Sequence, residues 1–258
     1  MWVWEDALLS LSCKATLFER LGDSELWPET WVLRRGDAWD VSGTDFFVKH
    51  PRRGGGTGTR RAHSVDAARS LAHKWLQTAE AAVIQRAVQP AELPLGPSIF
   101  ELRVWGILRR GGAWVWQNHR AKTALRGCNL MNRRVQQKKK EFGAFYDHNI
   151  ASEQHIRDAL PGYDDAKLLV REAVRRVHAV VRDDIPPTAF FFVGFDFILD
   201  SRAHPYLIEA NIKPPARFEN IDVQFPSPIV RRMASDALDA LAHLMQGNCQ
   251  TGWIRVDA

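Results

Sequence analysis

The chain has 258 residues, of which 45% are hydrophobic and 25% are charged, and a formal net charge of +5. This length and apolar content suffice to bury a sizeable core, which we expect to be divided between two lobes. The sequence has no apolar run of the roughly 18 residues that a transmembrane helix needs and no N-terminal stretch of secretory type, and its three widely spaced cysteines favour a reducing compartment over a disulfide framework or a zinc site.

Hydrophobic periodicity predicts both helices and strands, and hence a mixed α/β (α+β) fold. In chain order, the predicted elements are a helix at 7–21, a strand at 45–49, a helix at 64–79, strands at 82–88, 100–108 and 113–117, a helix at 164–181, a hairpin at 190–212 and a helix opening at Ser227. Residues 1–40 are otherwise expected to be irregular, and Ser64 is the expected N-cap of its helix. The apolar stripe of the 164–181 helix is expected to lie in the core: Leu168, Leu169, Ala173, Val174, Val177 and Val181.

A basic, glycine-rich loop follows the strand that ends at Lys49. Its glycines, Gly54, Gly55, Gly56 and Gly58, would let backbone N–H groups approach phosphate oxygens closely, and the lysine would supply a point charge. The lysine precedes the glycines, so the segment is not a Walker A phosphate loop. Taken alone, it fits an ordinary basic surface loop equally well.

The hairpin is the most informative feature of the chain. Strands at 190–200 and 205–212 flank a cluster of turn-forming residues, so that Asp196 is expected to lie opposite Glu209. Alternation then predicts two faces of the hairpin. One face carries Asp196, Glu209 and Asn211; the other carries Phe195, Phe197, Ile208 and Ala210.

Two carboxylates that face each other across a ladder repel, and a divalent cation removes the repulsion. Asp, Glu and Asn oxygens are the hard ligands that Mg²⁺ accepts together with phosphate oxygens. The alternative is a solvent-exposed strand edge whose acids serve only solubility. The strongly apolar flanks favour a buried hairpin, so the sequence predicts a metal site with the two carboxyl groups within about 8 Å of each other.

Basic residues cluster at 49–61 and 133–140, which together with the net charge favours an acidic partner: a phosphate ligand, a nucleic acid or an acidic peptide. Neither cluster is interleaved with aromatic residues, so nucleic-acid binding is disfavoured. The nine histidines show no metal-ligand spacing and are interpreted as ordinary surface or core residues.

In order and spacing, these motifs resemble the tubulin–tyrosine ligase-like family of ATP-grasp ligases. The resemblance is carried by Lys49 with its glycine-rich loop, Val83-Ile84-Gln85-Arg86, Phe100-Glu101-Leu102-Arg103-Val104-Trp105, Gly194-Phe195-Asp196 and Leu207-Ile208-Glu209-Ala210-Asn211. Segments around Lys14, Pro28, Asn129 and Ser227 are also similar, so the resemblance covers about residues 9–246. The family departs from this chain at Ile99, Glu101 and Lys122, where it commonly has lysine, aspartate and arginine, and its usual N-terminal region is longer.

The resemblance implies an ATP-grasp fold with the nucleotide held between two lobes. Residues 1–40 would be a short N-terminal remnant, 41–92 the central lobe with the glycine-rich loop, and 93–258 the C-terminal lobe, whose antiparallel sheet carries the Mg²⁺ site. The implied roles are ATP phosphate binding by Lys14, Lys49, Gly54, Gly55, Gly56 and Gly58; adenine and ribose contacts by Gln85, Arg86, Val88 and Glu101; metal binding by Asp196, Glu209 and Asn211; and contact with the transferred phosphoryl group by Arg103 and Lys122.

The implied activity is ATP-dependent formation of an amide between an amino acid and a protein carboxylate through an acyl phosphate. Glutamate is the favoured amino acid. A tubulin tail is the favoured acceptor, and tyrosine or glycine addition, or another acidic peptide, are the alternatives. Outside catalysis, the chain could be a silent nucleotide-binding protein that docks on microtubules; an RNA-binding module is the weakest alternative. We expect a cytoplasmic monomer, associated with microtubules or cilia and not with membranes, that uses ATP, Mg²⁺ and a free amino acid.

Overall fold

A computed structural model describes residues 12–53, 58–93, 98–116, 120–125, 150–151, 153–187, 190–213 and 253–256. Within these ranges the chain forms two antiparallel β-sheets and four α-helices, which confirms the mixed α/β prediction. None of these helices is long and apolar enough to cross a membrane.

The smaller sheet has four strands in the order β1–β4–β2–β3. They are β1 (Thr30–Arg34), β2 (Phe46–Lys49), β3 (Thr59–Ala62) and β4 (Ala81–Arg86). Helix α2 (Val65–Leu76) packs on one face, and its predicted cap is confirmed because the Ser64 hydroxyl accepts the Ala67 N–H at 3.2 Å. The other face of β4 joins the main core, so this sheet has apolar residues on both sides.

The larger sheet is built on the path β11–β10–β6–β7–β12, with β5 and β8 also paired to β6 and β9 paired to β8. Its strands are β5 (Glu92–Leu93), β6 (Ser98–Arg109), β7 (Gly112–Trp116), β8 (Arg120–Leu125), β9 (Ile150–Ala151), β10 (Phe190–Leu199), β11 (Pro205–Lys213) and β12 (Trp253–Arg255). The long central strands β6 and β10 therefore determine which side chains meet in the middle of the sheet.

Three further helices complete the described structure: α1 (Lys14–Leu21), α3 (Glu153–Ala159) and α4 (Tyr163–Val181). Helix α4 buries a face that includes Ala166, Val170, Ala173, Val174, Val177 and Val181. Leu168 was predicted to lie in the core, but 59% of it is exposed. The reason is helical phase, since Leu168 lies about half a turn from Ala166 and Val170, which define the buried stripe.

Other boundaries also differ from the sequence predictions. Strand β4 ends at Arg86, two residues before the predicted end. Helix α1 covers the C-terminal part of the helix predicted at 7–21, and residues 7–11 of that prediction lie outside the described residues. Strand β1 lies in the region expected to be irregular, and β3 was not predicted at all. Both are short, and pairing with β4 and β2 supplies the hydrogen bonds that their own sequence does not signal. The helix predicted from Ser227 lies outside the described residues.

The β10–β11 hairpin confirms the predicted pairing of Asp196 with Glu209. The ladder then shifts by one residue, because Phe197 pairs with Leu207 and Ile208 is left as a bulge. Ile208 was predicted to share the face of Phe195 and Phe197, but it is only half-buried while both phenylalanines are fully buried. The turn explains the shift, since it spans five residues and the Asp200 carboxylate accepts two backbone N–H groups within it.

The larger sheet yields a packing prediction at Gly106. A methyl group there would lie 2.6 Å from Phe195 Cε2 and 3.2 Å from the Trp114 carbonyl oxygen. We expect Gly106→Ala to lower the free energy of unfolding by about 1–3 kcal/mol, as overpacking does in other cores. Gly111→Ala is the matched control, because a methyl group on that residue would have nothing within 4 Å of it. Urea denaturation of the two variants checks this, and equal stabilities would contradict it.

Candidate functional site

Three charged residues form a row across the larger sheet. Asp196 on β10 pairs with Arg103 on β6 and with Glu209 on β11. Residues paired in an antiparallel ladder project from the same face, so the three side chains lie side by side. Asn211 is two residues beyond Glu209 on the same strand and shares this face, as the sequence predicts.

Asp196 is the most deeply buried acid in the row, with 3% of its surface exposed. Arg103 grips it through two guanidinium nitrogens, Nε to Oδ1 and Nη2 to Oδ2, the latter at 2.6 Å. Asn211 donates its amide N–H to Oδ2 at 2.9 Å. Burial alone would lower the pKa of Arg103, but the adjacent Asp196 carboxylate outweighs it and raises that pKa above its ordinary value.

A glycine makes this arrangement possible. A methyl group on Gly194 would lie 3.0 Å from Arg103 Nη1 and 3.2 Å from Trp105 Cζ3. The guanidinium therefore lies across the Gly194 backbone on its way from β6 to Asp196. The Gly194-Phe195-Asp196 motif, noted in the sequence for its acid, also contains the space that the arginine needs.

Lys14 connects this row to the glycine-rich loop. Its buried ammonium lies 2.8 Å from Glu209 Oε1 and donates to the Arg53 carbonyl at 3.1 Å. Its backbone N–H donates to the Pro51 carbonyl at 2.9 Å. One residue at the start of α1 thus contacts both the first residues of the loop and the β11 carboxylate.

Lys49 makes a second connection between the sheets. Its ammonium donates to Gln85 Oε1 at 2.5 Å and to the carbonyl of Ile208, the bulge residue of β11, at 3.1 Å. Burial lowers the pKa of Lys49 to about 8; nearby Lys14 also lowers it, while Glu209, Glu101 and Asp196 act against this. The bulge therefore has an identifiable partner, since it supplies a carbonyl to a buried cation.

The predicted adenine segment divides between two faces of β4. Gln85 points towards Lys49 and also donates to Thr30 Oγ1 at 3.1 Å. Arg86 points the other way: it pairs with Glu29 at 2.5 Å and lies over the rings of Trp31 and Phe46. Its side chain is not part of the cluster, and its backbone N–H donates to the Glu29 carbonyl at 2.9 Å.

The remaining predicted residues lie after β4, on β6 and β8, and in the glycine-rich loop. Val88 follows the end of β4 and is half-buried. Glu101 lies on β6, two residues before Arg103, and its backbone pairs with that of Lys122 on β8. A methyl group on Gly58 would lie 2.5 Å from Arg53 Cβ and 2.9 Å from His50 Cβ, so glycine is needed there for a close approach. Gly54, Gly55 and Gly56 lie outside the described residues.

The donor set suits a hard divalent cation. Among the described residues there is no group of three or more His, Cys, Asp and Glu side chains that could hold a metal. Asp196 and Glu209 supply two carboxylates, and Asn211 has its amide nitrogen turned to Asp196, which leaves the amide oxygen as a third donor. Few protein oxygens are expected for Mg²⁺ when phosphate oxygens complete its shell, so the residue types are compatible with this ion. In the described structure, however, both Asp196 oxygens are bonded to Arg103 and Glu209 is paired with Lys14.

Sequence reasoning missed several contacts that define the site. The bonds of Lys49 with Gln85 and of Lys14 with Glu209 join residues that are far apart in the chain. Burial of a lysine beside a strand end gives no periodic signal, so only the packed structure reveals these partners. His50, interpreted from the sequence as an ordinary residue, also contacts the loop.

The Arg103–Asp196 pair generates a stability prediction. Arg103→Met keeps much of the side-chain volume but removes both guanidinium bonds from a buried carboxylate, so we expect a loss of about 3–5 kcal/mol. Arg175→Met is the matched control, because it removes an exposed pair with Glu172 that is worth about 0–1 kcal/mol. Chemical denaturation at neutral pH measures both; similar small losses would show that the buried pair is not structurally important.

The comparisons with known proteins bear on the same part of the chain. Residues 121–244 match the family model described as Tubulin-tyrosine ligase family. This segment contains the β10–β11 hairpin with Asp196, Glu209 and Asn211, and also Lys122, whereas Arg103 precedes it. No curated protein matches the chain significantly. The match confirms the resemblance found in the sequence: residues 121–244, which include the acidic hairpin, are similar to the tubulin-tyrosine ligase family.

Proposed function

We propose that the protein is an ATP-grasp ligase that joins an amino acid, glutamate first, to a carboxylate of an acidic protein tail, with tubulin as the favoured acceptor. The family match supports ATP-dependent amide formation. The observation that carries the proposal is the convergence of Lys14, Lys49 and Arg103 on the face that holds Asp196 and Glu209. Such a concentration of buried charge is characteristic of sites that bind and transfer phosphoryl groups.

The proposed reaction has two steps. The acceptor carboxylate attacks the γ-phosphorus of ATP, which forms an acyl phosphate and releases ADP. The amine of the incoming amino acid then attacks the acyl carbon, which forms the amide, expels phosphate and releases a proton. Both steps move negative charge between oxygens, so positioning and electrostatic stabilisation can supply most of the catalysis.

The chain's own residues have distinct proposed roles in these steps. Lys14 and Lys49 would bind the ATP phosphates, with Gly54, Gly55, Gly56 and Gly58 close to them. Arg103 and Lys122 would stabilise charge on the transferred phosphoryl group. Asp196, Glu209 and Asn211 would hold Mg²⁺, which when bound neutralises phosphate charge.

The adenosine would lie beside the end of β4. Gln85 would border it through its side chain, Arg86 and Val88 through their backbones, and Glu101 near the ribose. The bonds of Arg86 N–H to the Glu29 carbonyl and of Ala87 N–H to the Asp45 carbonyl support a well-ordered backbone there. The proposed lobes are 41–92 and 93–258, with residues 1–40 contributing Lys14.

The substrate proposal depends on charge complementarity. A chain of net charge +5 attracts acidic tails, and a cluster of cations suits a free amino acid with an acidic side chain. Tyrosine and glycine addition are the alternatives within the same chemistry. A silent nucleotide-binding protein on microtubules is the alternative without chemistry. We propose a cytoplasmic monomer that associates with microtubules or cilia.

Nucleotide binding should depend on the charge of Lys49. The pKa of this lysine is lowered to about 8, so its ammonium loses its proton as the pH rises through that value. We therefore expect wild-type affinity for ATP with Mg²⁺ to fall between pH 7 and pH 9.5. Lys49→Ala should bind about tenfold or more weakly at pH 7 and show little pH dependence, because it has no ammonium to lose. Titration calorimetry measures this, with the exposed Lys74→Ala as control; a pH-independent wild type would contradict it.

Amide formation is tested by ADP release. Glutamate, tyrosine and glycine are supplied in turn with ATP and Mg²⁺, with tubulin present or absent, and products are identified by mass spectrometry. We expect release that requires both glutamate and tubulin, and a loss of about 100-fold or more in Glu209→Gln, which removes a carboxylate from the charge-stabilising row. The surface substitution Glu172→Gln is the matched control. Release of ADP with tyrosine alone would change the proposed amino-acid substrate. No release of ADP from a folded chain that binds ATP would contradict the proposed enzymatic activity.

A further inference from the structure

His50 is the first residue after β2 and begins the connection to β3. Its ring is buried and meets Trp75 edge-on, with centroids 5.5 Å apart. Its Nδ1 lies 3.2 Å from the backbone nitrogen of Arg52 and 3.3 Å from that of Arg53. A ring nitrogen that accepts N–H groups carries no proton, so the neutral ring must have its proton on Nε2.

His50 and Lys14 both bond to the turn formed by residues 51–53. The carbonyls of Pro51 and Arg53 accept from the backbone N–H and the ammonium of Lys14, at 2.9 and 3.1 Å. The same ammonium lies 2.8 Å from Glu209. The N–H groups of residues 52–53 therefore point to His50, while carbonyls of the same turn point to the lysine of the site.

The C-terminal end of the β2–β3 connection is also bonded to His50. The His50 backbone N–H donates to the Gly58 carbonyl at 2.7 Å. Arg53 also lies over Trp75, 5.3 Å from the ring centroid, beside the imidazole. His50 is thus in contact with both ends of the glycine-rich loop.

We propose that His50 is a positioning residue: by accepting the N–H groups of Arg52 and Arg53, it holds the turn that places Lys14 beside Glu209, and it thereby raises the affinity of the site for ATP. This inference depends on the proposed function only in its statement about ATP. The hold on the turn is a property of the chain itself.

The surroundings of His50 keep its acceptor available. Burial lowers the pKa of His50 below its ordinary value of 6.5, and the cations Arg53, Lys14 and Arg52 act in the same direction; Glu80 opposes them. The ring therefore stays neutral at pH 7. Protonation occurs only as the pH falls through this lowered pKa; it removes the acceptor and adds a fourth positive charge. Affinity should accordingly be retained above that range and lost below it.

Two substitutions separate the acceptor from the ring. His50→Phe keeps a ring against Trp75 but cannot accept the two N–H groups. His50→Asn supplies a side-chain carbonyl that can accept N–H groups two and three residues ahead, as in an Asx turn, and it does not titrate. The same two changes at His73, which is exposed on α2, are the matched controls.

ATP affinity is measured by calorimetry at pH 7.5 and at an acidic pH at which nitrogen chemical shifts show that the wild-type His50 ring is protonated. We expect His50→Phe to bind about tenfold more weakly at pH 7.5, the effect of losing roughly one net hydrogen bond's free energy. His50→Asn should stay within about threefold of wild type at pH 7.5 and should lose less affinity than wild type at the acidic pH. If His50→Phe does not fold, the pH comparison between wild type and His50→Asn decides: equal losses of affinity at the pH where the wild-type ring is protonated overturn the inference.

Trypsin provides a readout that needs no nucleotide. Cleavage after Arg52 and Arg53 should be faster in His50→Phe than in wild type and His50→Asn, and the nitrogen chemical shifts of wild-type His50 should show an unprotonated Nδ1. If His50→Phe and wild type have equal cleavage rates and equal ATP affinities, the inference about His50 is overturned, while the proposed function is not affected. A wild-type chain that binds no ATP would overturn the proposed function and the affinity role, while faster cleavage of His50→Phe would still support the hold on the turn.

Discussion

Burial of charge in the middle of a sheet is the constraint on which the rest of the structure depends. Asp196 is almost wholly buried, and a carboxylate in that position is tolerated only with cationic or hydrogen-bonding partners. Arg103 and Asn211 supply them from the two neighbouring strands. Replacing both members of a buried ion pair by hydrophobic residues is often neutral or stabilising, so the Arg103–Asp196 pair is better explained by a function that needs charge there than by stability.

The two sheets are joined at this charged face. Lys49, at the end of β2, reaches the bulge carbonyl of Ile208 on β11, and Lys14, at the start of α1, reaches Glu209 on the same strand. Both lysines are buried, so each contact places a cation from outside the larger sheet against its acidic hairpin. The positions of the glycine-rich loop, of Gln85 on β4 and of the hairpin are therefore interdependent, because Lys14 and Lys49 contact all three.

Local sequence patterns predicted the hairpin well, because alternation and turn residues act over a few positions. The pairing of Asp196 with Glu209 is confirmed, but the bulge at Ile208 was missed, since it reflects a five-residue turn and a distant lysine. Leu168 was assigned to the core because apolar character alone does not specify which stripe of a helix meets the sheet. The bonds between Arg103 and Asp196 could not be predicted from local patterns either, because the two residues lie on neighbouring strands and are 93 residues apart in sequence.

The sequence by itself determined the residue types of the site, their order along the chain, and the family resemblance that the match over residues 121–244 confirms. It did so because ligand chemistry depends on residue type, and alternation along a strand involves only residues that are close in sequence. Only the tertiary structure decided that Arg103 grips Asp196, that Lys14 pairs with Glu209, and that Arg86 turns away from the cluster. These are contacts between distant segments, chosen by the requirement that every buried charge find a partner when the sheets pack.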